Sequence, residues 1–308
     1  AYLFTAPRPT PELSFAIRYL KANTGVVVTA SHNPPAYNGY KAYWADGAQV
    51  IEPHDTGIIA RVQAVSSINT MSKDDALAKG LLVIIDKEVD GPYLAMVKAQ
   101  LFRPALFSTL AKDVSVVYTP LHGTGALHME ALMKDLGLSL HTVPEQREPN
   151  GEFPTVSYPN PEEAAALTMA IDLGQKLKAD VVMATDPDAD RLGIAVPNGS
   201  GGFTLISGNQ LGALHSDYIL LSRKELGRMP PKPVVIKSIV TTGLISRVAA
   251  SYGAETRECL TGFKWIADVM RRLEEEGSNF VYGTEESYGY LVEAEVRDKD
   301  GISAAAMT

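Results

Sequence analysis

Three apolar segments of this chain each run directly into a polar loop, and this repeated pattern limits the possible folds more than any other feature. The segments are rich in Val, Thr, Ala or Tyr and read as buried strands. Stretches with helical periodicity lie between them, and strands that alternate with helices of about ten to fifteen residues indicate βαβ units. Each segment and a polar residue of its loop are 26–29 with Ser31, 181–184 with Asp186, and 281–282 with Glu285.

The pattern predicts an α/β protein of three consecutive domains with mixed sheets, the first of them incomplete. The length of 308 residues is enough for two or three domains. Loops at the strand ends are expected to face a shared cleft, because open α/β sheets bind ligands there. The predicted domains are residues 1–90, 91–207 and 208–308, which carry the first, second and third of these loops.

Charge and cysteine content narrow the functional classes. The formal net charge of −8 argues against electrostatic binding to nucleic acid. Cys259 is the single cysteine, so an internal disulfide is impossible and a reducing, cytoplasmic setting is the simplest inference. No apolar run approaches the roughly 18 residues of a membrane-spanning helix, so we expect no membrane partner.

The first loop presents a serine and a histidine at the end of a strand. Pro34 and Pro35 disfavour helix in the residues before them, which places Ser31 and His32 on an ordered loop. For an arbitrary Ser-His pair, a simple turn role has about three chances in four. Lys41, on the strand leaving the loop, would clamp a phosphate or transfer a proton, or would be an ordinary edge charge.

The second loop carries three carboxylates at alternating positions, Asp186, Asp188 and Asp190. In an extended loop this alternation points all three the same way, as a hard divalent cation requires. An EF-hand loop is excluded, because Arg191 and Pro197 stand where it needs Gly and Glu. A solvated acidic turn has about one chance in five, since acids directly after a buried strand are costly unless neutralised. Arg191 would brace a phosphate or offset the local charge.

The third loop and a nearby loop-to-helix step offer hydrogen-bonding groups. Glu285, Glu286 and Ser287 suit the vicinal hydroxyls of a sugar, although Glu-Glu-Ser is also an ordinary helix-capping string. Thr261 and Gly262 lie in a loop that leads into a predicted helix, and Lys264 follows them. The start of a helix can bind anions or other ligands. Taken alone, this second signal is weak.

In their order along the chain, these motifs resemble the α-D-phosphohexomutase family, of the phosphoglucomutase/phosphomannomutase type and closest to the phosphoglucomutase branch. Two flanking segments, Arg8-Pro-Thr-Pro11 and Asn38-Gly-Tyr-Lys41, also look like family segments, so the resemblance extends over essentially the whole chain. The motifs that carry it are Thr29-Ala-Ser-His-Asn-Pro34, Asp186-Pro-Asp-Ala-Asp-Arg191 and Glu285-Glu-Ser287.

The resemblance implies an isomerase of glucose metabolism that interconverts glucose 1-phosphate and glucose 6-phosphate through a phosphoserine at Ser31. Glucose 1,6-bisphosphate would be the activator and intermediate, and Mg²⁺ the cofactor. The metal ligands would be Asp186, Asp188, Asp190 and an oxygen of phosphorylated Ser31. The transferring group would be surrounded by His32, Lys41 and Arg191, and the sugar would be bound by Thr261, Gly262, Lys264, Glu285, Glu286 and Ser287.

The family's enzymes have four domains, and the motifs of the last domain and of the start of the first are missing here. The resemblance therefore implies a fragment with little or no turnover of its own, and a full-length protein that is a monomer or dimer. Phosphopentomutase and phosphomannomutase activities remain alternatives within the family. Outside it, the alternatives are a Mg²⁺-dependent sugar phosphatase and a non-catalytic fragment that binds sugar phosphates.

Overall fold

Strands and helices alternate along the chain in the computed structural model, which describes residues 1–308. The predicted α/β fold with consecutive mixed-sheet domains is confirmed, because the strands form separate sheets that follow one another in sequence. No helix is both long enough and apolar enough to cross a membrane.

The first region has two small sheets, a parallel pair of β1 with β4 and an antiparallel pair of β2 with β3. Its helix α1 has Pro11 in the first turn, where the missing proline N–H costs no helical hydrogen bond. The elements are β1 Tyr2–Phe4, α1 Thr10–Tyr19, β2 Thr24–Val28, β3 Tyr40–Trp44, α2 His54–Gln63, α3 Lys73–Ala78 and β4 Val83–Ile85.

The second region is built on a five-stranded sheet with the order β6-β5-β7-β8-β9. Strand β5 pairs in parallel with β6 and β7, and the sheet then continues through two antiparallel pairs. The elements are α4 Lys87–Ala99, α5 Phe107–Leu110, β5 Ser115–Thr119, α6 Ala126–Leu136, β6 Ser139–Thr142, α7 Pro144–Arg147, α8 Thr168–Leu177, β7 Val181–Thr185, β8 Leu192–Pro197 and β9 Phe203–Ile206.

The third region repeats this plan in a four-stranded sheet with the order β11-β10-β12-β13, whose last pair is antiparallel. Helix α9, which the sequence reading did not predict, opens with a reciprocal capping box between Ser207 and Gln210. The elements are α9 Gly208–Glu225, β10 Pro233–Ser238, α10 Leu244–Ser251, β11 Glu255–Cys259, α11 Phe263–Glu276, β12 Asn279–Glu285, β13 Gly289–Leu291 and α12 Gly301–Met307.

Each of the three predicted site loops joins a strand to its antiparallel neighbour: β2 to β3, β7 to β8, and β12 to β13. One expectation was wrong, since the first strand is not buried. Val26 and Val28 are 42% and 65% exposed, because β2 pairs with β3 alone and has α1 on its other face, where Gly25 lies against Ile17.

Three elements differ from what the local sequence predicts. The helical periodicity of Tyr93–Leu106 predicts a helix there, but α4 begins earlier, at Lys87, and continues through Pro92. Pro161 followed by two glutamates predicts a helix start, but turns occupy the next residues and α8 begins at Thr168. The turn at Asp46-Gly47 predicts a strand at residues 48–51, of which only a single bridge between Gln49 and Tyr43 forms.

Buried polar contacts hold the regions together around a common core of 41 residues. Glu12 of α1 and His128 of α6 are both fully buried, and Oε2 of Glu12 lies 3.1 Å from Nε2 of His128. Asp90 of α4 completes this junction, and its carboxylate is paired with both Nε and Nη2 of Arg8. Nη2 of Arg8 also lies 2.9 Å from Oδ1 of Asp86, so we interpret the cluster as a junction of buried polar and charged groups that joins the regions.

Candidate active site

Ser31 lies in the loop between β2 and β3 and faces the acidic loop of the second region. Its backbone N–H donates to the Thr29 hydroxyl at 2.8 Å, which fixes the turn. Its Oγ lies 2.9 Å from Oδ2 of Asp186 and 3.2 Å from Oδ1 of Asp188, so its hydroxyl proton has two carboxylate acceptors. Residues more than 150 positions apart therefore meet at one point.

The carboxylates of Asp186, Asp188 and Asp190 converge within 4.8 Å of one another, and all three residues are buried. The extended loop predicted from their alternation is wrong. The loop is a tight turn, with Ala189 at a φ of +53°, and Oδ1 of Asp186 closes it by accepting the backbone N–H groups of Asp190 and Arg191 at 3.1 and 3.0 Å. The turn, rather than strand alternation, brings the oxygens together.

Two ammonium groups neutralise part of this acidic loop. Nζ of Lys41 lies 2.9 Å from Asp188 and 3.5 Å from Asp190. Nζ of Lys299 lies 2.7 Å from Oδ2 of Asp190. Sequence reasoning did not single out Lys299, because only the fold brings it from the third region to the acidic loop.

The protonation of the acidic loop reflects burial and mutual repulsion. Burial, together with the neighbouring charges of Asp188 and Asp190, raises the pKa of Asp186 well above its usual range. Burial also opposes ionisation of Asp188, but the Lys41 ammonium outweighs it, and the pKa of Asp188 falls below its ordinary value. Oδ2 of Asp190 is paired with the Lys299 ammonium, whereas Oδ1 of Asp190 is buried and has no partner. Buried carboxylate oxygens with spare acceptor capacity fit a hard divalent cation.

His32 and Arg191 flank the same point. Nδ1 of His32 lies 3.0 Å from the Ser31 Oγ, and burial, assisted by the Arg191 charge, lowers the pKa of His32 to about 4. The backbone N–H of Arg191 donates to Asp186 in the acidic loop. The Arg191 guanidinium instead binds Glu162, with Nη1 2.6 Å from Oε1. Glu162 belongs to none of the motifs found in the sequence.

The third loop adjoins the acidic loop, since Arg191 forms a β-bridge with Gly289. Buried Glu285 accepts the backbone N–H of Gly262 at 2.6 Å, so the two predicted sugar-binding loops do lie together. Gly262 has a φ of +114°, which favours glycine. Burial raises the pKa of Glu285.

The remaining predicted sugar ligands are placed less directly. Oε2 of Glu286 accepts the hydroxyls of Ser238 and Thr241, both at 2.8 Å, so this carboxylate oxygen anchors a neighbouring loop. Lys264 turns toward α2, with its Nζ 3.9 Å from Oδ2 of Asp55. The other two members of the set, Ser287 and Thr261, are half-buried and exposed, respectively.

Each of the three loops contains a non-glycine residue in the left-handed region: Ser31 at a φ of +54°, Ala189 at +53° and Tyr288 at +65°. Such a conformation costs about 1–2 kcal/mol for an L-residue. It persists only where surrounding contacts impose it, and it is often found at functional sites. Six other non-glycine residues outside these loops also have a positive φ, so this conformation is shared by the three loops but is not specific to them.

Fold and site together define a class of α/β protein in which a serine of one domain faces a carboxylate cluster of the next. The comparisons with known proteins identify the family. Domains I, II and III of the phosphoglucomutase/phosphomannomutase family match residues 1–69, 92–201 and 207–308, respectively. The chain belongs to this α-D-phosphohexomutase family.

Individual relatives agree with this assignment. A human phosphopentomutase is 38% identical over 100% of this chain and 51% of its own length. A phosphoglucomutase of Staphylococcus epidermidis is 38% identical over 98% of this chain and 54% of its own length. A putative phosphomannomutase structure from Thermus thermophilus aligns with a TM-score of 0.80 and 26% identity, covering 99% of this chain and 63% of that one. The chain thus spans about half the length of the curated relatives it matches.

Proposed function

We propose that this chain carries the phosphoserine, metal and sugar loops of a phosphosugar mutase. The observation that carries the proposal is the meeting of the Ser31 hydroxyl with Asp186 and Asp188 at 2.9 and 3.2 Å. A serine at the rim of a metal-ligating carboxylate cluster suits a reversible phosphoryl carrier, since such transfer needs mainly positioning and charge neutralisation. The domain limits 1–90, 91–207 and 208–308 belong to the same proposal.

Asp186, Asp188 and Asp190 would hold Mg²⁺, together with an oxygen of phosphorylated Ser31. When bound, the ion would polarise the phosphoryl group and offset its charge. The unpaired Oδ1 of Asp190 and the all-oxygen donor set support this assignment.

In the transfer step, the bond between phosphorus and the sugar oxygen breaks and a bond between phosphorus and Ser31 Oγ forms. The serine proton leaves toward Asp186 or His32, both within 3.0 Å of Oγ, and the sugar oxygen takes up a proton. Lys41 and Arg191 would stabilise the phosphoryl oxygens by charge. In the opposite half-reaction, the bond between phosphorus and Oγ of phosphorylated Ser31 breaks, a bond forms between phosphorus and a hydroxyl of the sugar monophosphate, and Oγ takes up a proton. The sugar bisphosphate formed in this way reorients, and the transfer described above then returns its other phosphate to Ser31.

For the substrate we propose glucose 1-phosphate and glucose 6-phosphate, with glucose 1,6-bisphosphate as intermediate. Glu285 and Ser287 would bind sugar hydroxyls beside Thr261 and Gly262, and Lys264 would reach the substrate only by leaving Asp55. The names of the relatives include a phosphopentomutase and a phosphoglucomutase at equal identity, so the pentose and mannose phosphates are the rival substrates. A sugar phosphatase would instead hydrolyse the substrate without needing Ser31.

The choice of sugar can be measured on the chain itself. With Mg²⁺ present, glucose 1,6-bisphosphate is expected to phosphorylate the chain about fivefold faster than ribose 1,5-bisphosphate, since one well-placed hydroxyl bond contributes ~1 kcal/mol. Intact-mass spectrometry at successive times gives both rates, and mannose 1,6-bisphosphate serves as the third donor. A faster reaction with the ribose compound would replace the glucose assignment by the pentose one.

A further inference from the structure

We propose that Glu162 is a positioning residue for Arg191, which holds the guanidinium clear of the acidic loop and leaves its other edge free for a phosphoryl oxygen. This inference rests on the proposed function, because it assigns Arg191 to the transferring group. Glu162 lies outside every motif that the sequence suggested.

The ion pair is well placed to fix the side chain. Nη1 of Arg191 lies 2.6 Å from Oε1 of Glu162, and the two side chains are 16% and 32% exposed. A fully exposed pair of this kind contributes little, but the mostly buried guanidinium here is shielded from competing water. Charge-assisted hydrogen bonds to arginine are also directional, so the pair sets the orientation of the guanidinium plane.

The segment that carries Glu162 is fixed against the strand that follows Arg191. Oδ1 of Asn160 accepts the Glu162 backbone N–H at 3.1 Å, which forms a tight turn. Pro161 packs against Gly193 so closely that a Cβ on Gly193 would lie 2.7 Å from the Pro161 carbonyl oxygen. The separation between Glu162 and Arg191 is therefore set by backbone packing and not by side-chain reach alone.

The free edge of Arg191 is the observation that points to a ligand. Its Nε is buried and has no hydrogen-bond partner, and buried donors are rarely left unpaired. The nearby carboxylates of Asp186, Asp188 and Asp190 compete for this cation, yet none of them bonds the guanidinium. By taking Nη1, Glu162 keeps those oxygens available for a metal ion and leaves Nε available for an oxyanion.

The test is a double-mutant cycle on phosphorylation of Ser31 by glucose 1,6-bisphosphate with Mg²⁺. Glu162→Gln is expected to lower the single-turnover rate about tenfold and to raise the Mg²⁺ concentration needed for half-maximal rate. Glu163→Gln, which removes the adjacent exposed carboxylate, should match the wild type. In an Arg191→Ala background, Glu162→Gln should change the rate less than twofold, and Glu162→Asp should restore part of it in the parent.

An equal loss in both backgrounds would overturn the proposal, because Glu162 would then act without Arg191. A rate for Glu162→Gln equal to that of Glu163→Gln would overturn it as well. If the wild-type chain itself takes up no phosphoryl group, the proposed function fails first, and that outcome is distinct from both. Circular dichroism of each variant separates a folding defect from a rate effect, and Glu162→Asp provides the second reading if Glu162→Gln does not fold.

Discussion

Replacing Asp188 with Asn is expected to weaken Mg²⁺ binding at least about 100-fold, and to slow phosphorylation of Ser31 by a similar factor. Loss of groups that merely support a metal ligand already costs about 10- to 100-fold in affinity. Asp188 contributes more than support, because it is buried, ionised beside Lys41 and 3.2 Å from the Ser31 Oγ. The amide keeps the shape of the side chain but removes the negative charge.

Isothermal titration of Mg²⁺ into the wild type and the variant measures this effect, and the time course of phosphorylation provides a second reading. Asp172→Asn is the matched control, since Asp172 is exposed on α8, away from the acidic loop. Equal Mg²⁺ affinity in all three proteins would show that the acidic loop is not the metal site.

The second large effect concerns stability. His128→Ala is expected to lower the free energy of unfolding by about 3–5 kcal/mol, because it leaves the buried Glu12 carboxyl without its partner. Both side chains are fully buried, and they join the first region to the second. Burial already raises the pKa of Glu12, with the bond to His128 opposing that rise. Without His128, the carboxyl must become neutral or draw in water.

Urea unfolding, followed by circular dichroism, measures this change. His141→Ala is the control, since His141 is only part-buried and its ring bonds the Ser139 hydroxyl at 3.1 Å. Adding Glu12→Gln to His128→Ala should recover part of the loss, because a neutral amide is less costly to bury than a charge. A loss below about 1 kcal/mol, the level of an exposed pair, would contradict a stabilising role for this buried contact.

The sequence could predict the α/β plan and its loops because the signals are local. Runs of Val before Ser31 and before Asp186 report strands directly, and the Asp186–Asp190 spacing reports carboxylates that need neutralisation. Proline and glycine positions marked the turns. The predicted burial of the strands was less reliable, since the burial of a strand such as β2 depends on what packs against both of its faces.

Contacts between distant residues could not be predicted in this way. Lys299 reaches Asp190 from more than 100 residues away, and Glu162 reaches Arg191 across a turn that no periodicity reveals. Glu286, predicted to bind sugar, has one carboxylate oxygen bonded to Ser238 and Thr241. These partners depend on the packing of separate regions, whereas the residue types at the loops depend only on local sequence. The roles of the site residues remain predictions.

Phosphorylation of Ser31 tests the central claim most directly. The chain, freed of phosphate, is incubated with glucose 1,6-bisphosphate and Mg²⁺, and its intact mass and phosphopeptides are then measured. We expect the wild-type chain to gain the mass of one phosphoryl group, localised to Ser31. Ser31→Ala should not gain this mass, whereas Ser66→Ala, the control at an exposed serine, should gain it. Absence of phosphoryl uptake in the wild type, or its persistence in Ser31→Ala, would contradict a phosphoserine at this site.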